Sequence, residues 1–187
     1  MAPKVKITRE DIIRAAIETV RRQGADAVNA RTVATALSCS TQPVFSNFPT
    51  MEELRFSVRE GAMEVYEAFL ARAVEEGRYP AYKAQGMAYI RFAKEERELF
   101  QLLFMRDRRE EDQSSEDESF DRMVAVVQQN SGLDYEKARL FHLEMWAFVH
   151  GIAAMFATNY LAPDEALVSG MITDAYMGLR KQYGLEA

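Results

Sequence analysis

Apolar residues recur at intervals of three and four along most of the chain, and strict alternation of apolar and polar positions is absent. Spacing of three and four gathers the apolar side chains on one face of an α-helix. The five prolines leave long segments uninterrupted between them, and proline is the residue that most often ends or kinks a helix. The pattern therefore predicts an all-α chain.

Capping residues predict three helices within residues 1–50. Thr8 can accept the amide of Asp11 and begin the first helix, which is expected to end at Gly24. Asn29 is placed to cap a short second helix, and Ser40 to cap a third helix of about two turns. These helices follow one another closely and predict a compact unit.

The third of these helices has an inner and an outer face. Val44 and Phe48 lie four residues apart and share the inner face. The side chains expected to point outward are polar: Thr41, Gln42, Ser46 and Asn47. This helix therefore offers hydrogen-bond donors and acceptors to a partner.

Longer helices are predicted beyond the compact unit. Thr50 and Glu53 form a capping-box pattern at the head of a fourth helix that could run to about Gly77. Two helices are expected after Pro80, with a break near the charged run from Lys94 to Glu98. Residues 106–119 contain no apolar side chain and predict a solvated loop.

Three helices are expected after that loop, over 120–129, over 135–161 and from Asp164 to about residue 183. The middle helix is apolar on nearly all sides, so it must be buried from several directions. A chain this short has few elements to do so, which favours burial against a second copy across a two-fold axis. The predicted dimer contacts are Phe148, Met155, Phe156, Met171, Ile172, Ala175 and Leu179.

Charge is distributed unevenly along the chain, which holds 23 basic and 29 acidic side chains in total. Residues 1–50 carry seven basic and four acidic side chains, so the remaining 137 residues have an excess of nine acidic ones. Binding to a polyanion is therefore expected of the N-terminal fifty residues.

The sequence lacks signatures of catalysis, metal binding and membrane insertion. Glycine-rich phosphate loops and nucleophile elbows do not occur, and His142 and His150 lie too far apart along a helix to share an ion. The longest nearly apolar stretch, 145–157, is shorter than the roughly 20 residues that cross a bilayer. Cys39 is the lone cysteine, and the N-terminus lacks a signal peptide. We expect a cytoplasmic protein that is not an enzyme and has no metal, no cofactor and no membrane span.

The predicted unit at the basic end is typical of a helix-turn-helix. A helix of two turns enters the major groove of DNA end-first, and Thr, Gln, Ser and Asn side chains can bond base edges. Basic residues beside it would hold the phosphate backbone through release of counterions. This arrangement indicates a DNA-binding protein.

The same residues resemble the DNA-binding domain of the tetracycline-repressor (TetR) family of transcriptional regulators. The matching features are the run ITREDII at 7–13, Ala15, Ala16, Gly24, Val33, Ala34, the run STQPVFSNF at 40–48 and the run MEEL at 51–54. The match covers about the first 55 to 60 residues. Farther on, only the stretch 146–151 is similar to the family, because its regulatory domains diverge widely.

The resemblance implies a DNA-binding domain at 1–50 and a helical ligand-binding and dimerisation domain at 51–187. It implies that DNA is contacted by Lys6, Arg31, Thr32, Thr41, Gln42, Pro43, Phe45, Ser46, Asn47 and Thr50. Two departures matter: Phe45 stands where many members have a phosphate-binding tyrosine, and Met51 stands where many have a lysine. Affinity for the phosphate backbone of DNA must then come from other groups. Each of these side chains, taken singly, could instead be solvated surface.

The resemblance also implies a pocket for an apolar or amphipathic effector. The candidate lining residues are Met87, Phe92, Phe100, Leu103, Phe104, Met123, Val127, His142 and Trp146. Each of them could instead be ordinary core, because methionines and aromatic residues at helical spacing fill any helical bundle.

We therefore expect a ligand-responsive homodimeric regulator that binds a palindromic operator in double-stranded DNA. A repressor is expected rather than an activator. Its recognition helices would enter one half-site each. The alternative is a small helical ligand-binding or dimerisation protein without a role on DNA.

Overall fold

The computed structural model describes residues 7–107 and 114–185, with side chains from residue 119 onward in the second range. All regular structure in these ranges is helical, which confirms the all-α prediction. The helices are α1 (Arg9–Gln23), α2 (Ala30–Ala36), α3 (Gln42–Asn47), α4 (Met51–Glu75), α5 (Ala81–Glu95), α6 (Arg97–Phe104), α7 (Ser114–Ser131), α8 (Tyr135–Ala157) and α9 (Glu165–Gln182).

Caps fix both ends of α1 as predicted. The Asp11 amide donates to Thr8 Oγ1 at 3.1 Å, and the Thr8 amide donates to Asp11 Oδ2 at 3.1 Å. The helix ends at Gly24, whose φ of 83° lies in the left-handed region where a side chain would be strained. Asn29 caps α2 by accepting the amides of Arg31 and Thr32.

The start of α3 differs from the prediction. Its N-cap is Thr41 rather than Ser40, and no side-chain oxygen caps it. An N-cap oxygen accepts the amide two or three residues ahead, and the third residue after Ser40 is Pro43, which has no N–H. Ser40 therefore has no donor at that position.

The capping box at the head of α4 is formed only in part. Thr50 Oγ1 accepts the Glu53 amide at 3.1 Å. The Glu53 carboxylate does not complete the box as predicted, because it pairs with Arg9 at 2.9 Å. The helix then runs to Glu75, and Gly77 follows with a φ of 64°.

The chain divides into two compact units, one of residues 1–68 and 95–106, the other of residues 69–94 and 107–187. In the first unit α1 packs against α2 and α6. In the second unit α8 packs against α7 and α9. The predicted division into a DNA-binding domain at 1–50 and a ligand-binding and dimerisation domain at 51–187 stays a prediction.

Part of the predicted loop over 106–119 is helical, because α7 begins at Ser114. Serine followed by acidic residues favours the first turn of a helix, and the sequence has both there although it has no apolar residue to show periodicity. Residues 108–113 of that prediction lie outside the described ranges. The long helix predicted to reach residue 161 ends earlier, at Ala157.

Candidate DNA-reading helix and effector core

The short helix α3 presents one face to solvent. Gln42, Phe45 and Ser46, at spacing of three and four, are exposed, and Phe45 retains 51% of its accessible surface. Val44 and Phe48 are buried on the opposite side, as predicted. A six-residue helix is too short to be stable alone, so these two apolar contacts must help to hold it.

Side chains at the end of α3 bond to the helix itself. Ser46 Oγ donates to the Gln42 carbonyl at 2.9 Å, and Asn47 Nδ2 donates to the Pro43 carbonyl at 2.8 Å. Asn47, like Thr41 and Pro43, is half-buried. Gln42 is therefore the amide side chain of α3 that is most accessible to a partner.

Other predicted DNA contacts lie at the starts of α2 and α4. Arg31 is exposed in the first turn of α2, and Thr50 is exposed just before α4. The Thr32 hydroxyl is half-buried and donates to the Ala27 carbonyl at 2.7 Å, so it is occupied within the unit. Lys6 lies outside the described residues.

An ion pair joins α1 to α6 inside the first unit. Arg21 donates from Nε and Nη2 to the two carboxylate oxygens of Glu96, each at 2.9 Å. Hydrogen bonding to Glu96 raises the pKa of the Arg21 guanidinium, and Glu18 adds to the effect. Glu96 stands at the break between α5 and α6, so the pair ties α1 to the start of α6.

Three of the predicted effector-lining residues lie on α6 in the first unit. Phe100 and Leu103 are buried there, and Phe104 is half-buried. The Phe104 ring packs edge-on to Tyr66 with a centroid distance of 5.0 Å. These residues are core of the first unit.

The other predicted effector residues lie in the second unit. Phe92, Val127 and His142 are buried, as is Met87. Met123 is half-buried. By contrast Trp146 is 44% exposed, so it belongs to the surface of α8.

A tyrosine–histidine pair connects α5 to α8 within this unit. Tyr82 Oη lies 2.9 Å from His142 Nδ1, and the Phe120 ring is 4.7 Å from the imidazole. Burial lowers the pKa of His142 to about 4 and raises the pKa of Tyr82. Both groups are therefore uncharged at pH 7, and each satisfies the other inside an aromatic core.

A second pair lies two helical turns farther along. Tyr89 Oη lies 2.8 Å from His150 Nδ1, and the Trp146 ring stacks on the imidazole with a centroid distance of 5.1 Å. Burial lowers the pKa of His150 as well. The two tyrosines were not predicted as partners of the histidines. The available signal was their similar spacing: Tyr82 and Tyr89 are seven residues apart, and His142 and His150 are eight residues apart.

A small cavity of about 10 Å³ adjoins Tyr82. Its walls are Tyr82, Val127, Asn130, Ser131, Phe141, Tyr176 and Leu185. Of the predicted effector residues, only Val127 lines it. The space holds about one water molecule, so a larger ligand here would require the surrounding side chains to move apart.

The predicted dimer contacts divide by burial. Phe156 and Ile172 are buried inside the second unit. The others are half-buried: Phe148, Met155, Met171, Ala175 and Leu179. The same two helices also expose apolar side chains to solvent, namely Leu140, Leu143, Trp146, Leu167 and Met177.

Within the described ranges, no group of three or more His, Cys, Asp and Glu side chains is placed to hold a metal ion. One described helix, α8, is long and apolar enough to cross a membrane by length and composition. It buries residues such as Phe141, Met145 and Ile152 in its unit and exposes others, such as Leu140 and Trp146.

Comparison with known proteins identifies relatives of both halves of the chain. A family model described as the C-terminal domain of tetracyclin repressor-like proteins matches residues 82–174. A protein of unknown function from Rhodococcus sp. RHA1 shares 25% identity with a TM-score of 0.76, over 95% of this chain and 98% of that chain. No curated protein matches the chain.

Two further solved structures share the fold at lower identity. A TetR-like transcriptional regulator from Rhodococcus sp. RHA1 is 13% identical with a TM-score of 0.68, covering 94% of this chain and 95% of that chain. A TetR family member from Streptomyces coelicolor A3 is 20% identical with a TM-score of 0.62, covering 89% and 96%.

Proposed function

Because this chain belongs to the TetR family of transcriptional regulators, we propose that it is a cytoplasmic homodimeric repressor that releases a palindromic operator on binding a small effector. The observation that carries the proposal is the exposed face of α3, on which Gln42 and Ser46 stand at the basic end of the chain. The protein acts by binding and has no enzymatic role.

The α3 helix reads the major groove in this proposal. Gln42 is suited to adenine, to which its amide can both donate and accept. Phe45 offers an apolar contact, and Ser46 a hydroxyl that can turn from its own helix to a base. Backbone contacts come from Lys6, Arg31 and Thr50, while Thr32, Thr41, Pro43 and Asn47 lie nearer the edge of the interface.

Dimerisation places two reading helices on one duplex. The exposed apolar residues of α8 and α9, with the half-buried residues beside them, form the proposed interface between copies. Gly170 and Gly178 add to it, since open space lies where their side chains would be. Small residues let the backbones of two helices approach closely, and a two-fold axis through this face would pair each helix with its copy.

The effector site proposed is the aromatic core around Tyr82 and His142. The pair is neutral and surrounded by rings, so it suits an apolar or amphipathic molecule with one hydrogen-bonding group. Binding would favour a conformer in which α4 swings and alters the separation of the two recognition helices. A hundredfold loss of operator affinity needs only about 2.7 kcal/mol of differential effector binding.

Duplex selection followed by binding measurements tests this function. The protein is used to select duplexes from a randomised pool, and binding to the selected and to a scrambled duplex is measured by fluorescence anisotropy at two salt concentrations. We expect a selective complex that weakens steeply with salt. A protein that selects no duplex would instead be the helical ligand-binding protein without a role on DNA.

A further inference from the structure

The guanidinium of Arg9 joins three helices of the first unit. It belongs to the first turn of α1, and Nη1 donates to the Asn47 carbonyl at the end of α3, at 2.9 Å. It also donates to two side chains of α4, from Nη1 to Glu53 Oε1 at 2.9 Å and from Nη2 to Ser57 Oγ at 3.0 Å. The group lies 4.0 Å from the centre of the Phe48 ring.

We propose that Arg9 is a positioning residue for DNA reading, holding α3 at a fixed angle to α1 and α4 without touching DNA itself. The inference rests on the proposed function, because it assigns to Arg9 the orientation of the face that carries Gln42. Its partners lie 38 to 48 residues away in sequence, so the contacts are tertiary rather than local.

The end of α3 needs such a partner. The last carbonyls of any helix have no intrahelical donor, and the Val44 carbonyl is already satisfied by the Phe48 amide at 2.9 Å. Arg9 supplies a donor to Asn47 and a positive charge at the helix C-terminus, where the macrodipole favours cations.

The same geometry argues against a phosphate-binding role. Two guanidinium nitrogens are committed to Glu53, Ser57 and Asn47, and the aromatic ring of Phe48 lies against the guanidinium carbon. A phosphate would have to compete with the Glu53 carboxylate for the same group. Lysine cannot replace this arrangement, because a single ammonium lacks the planar fork that spans several acceptors.

Substituting Glu53 distinguishes a positioning Arg9 from a phosphate-binding Arg9, because the two roles predict opposite changes in affinity for the duplex. Glu53→Gln removes a negative charge and would free Arg9, so a phosphate-binding Arg9 would then hold DNA more tightly. A positioning Arg9 keeps Ser57 and a neutral amide acceptor on α4 but loses its charged partner there, so the selected duplex would be bound more weakly. Glu52→Gln makes the same charge change in the same helical turn, at an exposed residue, and serves as the control.

The test measures Arg9→Lys, Glu53→Gln, Ser57→Ala and the controls Glu52→Gln and Arg14→Lys, all in the full chain. Arg14 pairs with Asp11 in its own helix. For Arg9→Lys and Glu53→Gln we expect about tenfold weaker binding to the selected duplex, with scrambled DNA and both controls changed by less than about twofold. Ser57→Ala, which removes only one acceptor, should lie between these results.

Amide hydrogen exchange of residues 41–48, without DNA, provides an independent readout. Exchange should accelerate there in Arg9→Lys and Glu53→Gln and stay as in the native protein in both controls. Unchanged exchange, or tighter duplex binding by Glu53→Gln, would overturn the proposal, as would faster exchange with undiminished selectivity. If the native protein selects no duplex, the proposed function fails, and the exchange result still decides whether Arg9 orders α3.

Discussion

Polar side chains have opposite surroundings in the two units. In the first unit Gln42 and Ser46 are exposed on α3. In the second unit His142 is buried, and its Nδ1 atom pairs with the hydroxyl of Tyr82. Exposed groups can exchange water for DNA at little cost, whereas a buried polar group must keep a partner or lose stability.

DNA specificity is therefore expected to depend on the α3 surface, and stability on the buried Tyr82–His142 pair. Substitutions on the α3 surface should change DNA binding and leave the free energy of unfolding nearly unchanged. Substitutions at the buried pair should do the reverse. The effector is proposed to bind at Tyr82 and His142 because a ligand that hydrogen-bonds to one of these residues can replace the other as its partner.

The largest effect is expected from pH acting on His142. Its pKa of about 4 in the folded chain lies below the ordinary value of 6.5, so the unfolded chain binds a proton over a range in which the folded chain does not. The free energy of unfolding should therefore fall as the pH drops from 6.5 towards 4, by up to about 3 kcal/mol. Denaturant titrations at several pH values measure this.

The matched variant for this pH effect is His142→Gln, which keeps a polar group beside Tyr82 and removes the titration. The stability difference between the native protein and the variant should change across the same pH range. A constant difference would show that His142 does not titrate as its burial implies.

Gln42→Ala should change DNA binding next most strongly. Loss of a bidentate contact to adenine weakens operator binding by about 1 to 3 kcal/mol and relaxes the base preference at one position. The free energy of unfolding should change by less than about 0.5 kcal/mol, because Gln42 is exposed. Anisotropy on selected and scrambled duplexes measures the difference, and equal losses on both would remove Gln42 from the reading face.

Tyr82→Phe leaves His142 Nδ1 without the hydroxyl that lies beside it. The free energy of unfolding should fall by about 1 to 2 kcal/mol, the usual penalty for leaving a buried polar atom unsatisfied. Tyr160→Phe is the control, since that ring is 82% exposed, and thermal denaturation should hardly distinguish it from the native protein. Similar losses in both variants would mean that the Tyr82–His142 bond contributes nothing particular.

Lys6→Ala is expected to have the smallest effect. A phosphate contact carries no sequence information, so selected and scrambled duplexes should weaken alike. The slope of log affinity against log salt should become shallower by about 0.9, the value for one phosphate contact. An unchanged slope would exclude Lys6 from the interface.

Local features of the fold could be predicted from the sequence, whereas contacts between distant residues could not. Thr8, Gly24 and Asn29 act on neighbours within a few residues, so their caps were predictable from short patterns. The contact of Tyr82 with His142 joins residues 60 apart, and local spacing says nothing about which partner a tyrosine meets.

The same limit explains what sequence reasoning missed in the first unit. Arg9 reads locally as one more basic residue at the start of a helix, yet its acceptors lie on α3 and α4. The sequence predicts a complete capping box between Thr50 and Glu53 because the pattern is local. The Glu53 carboxylate instead pairs with Arg9, a tertiary contact that the local pattern does not contain. The exposure of Gln42 and Ser46 was predictable because they share one short helix with the buried Val44, whereas Thr41 and Asn47, also expected to point outward, are half-buried.

Hydroxyl-radical footprinting of the selected duplex shows whether two copies of α3 read one face of the DNA. Two copies of α3 on one face of the DNA should protect two patches related by a two-fold axis, with centres about 10 base pairs or a multiple of that apart. A single patch, or no protection at protein concentrations that saturate binding, would rule out such a two-fold complex.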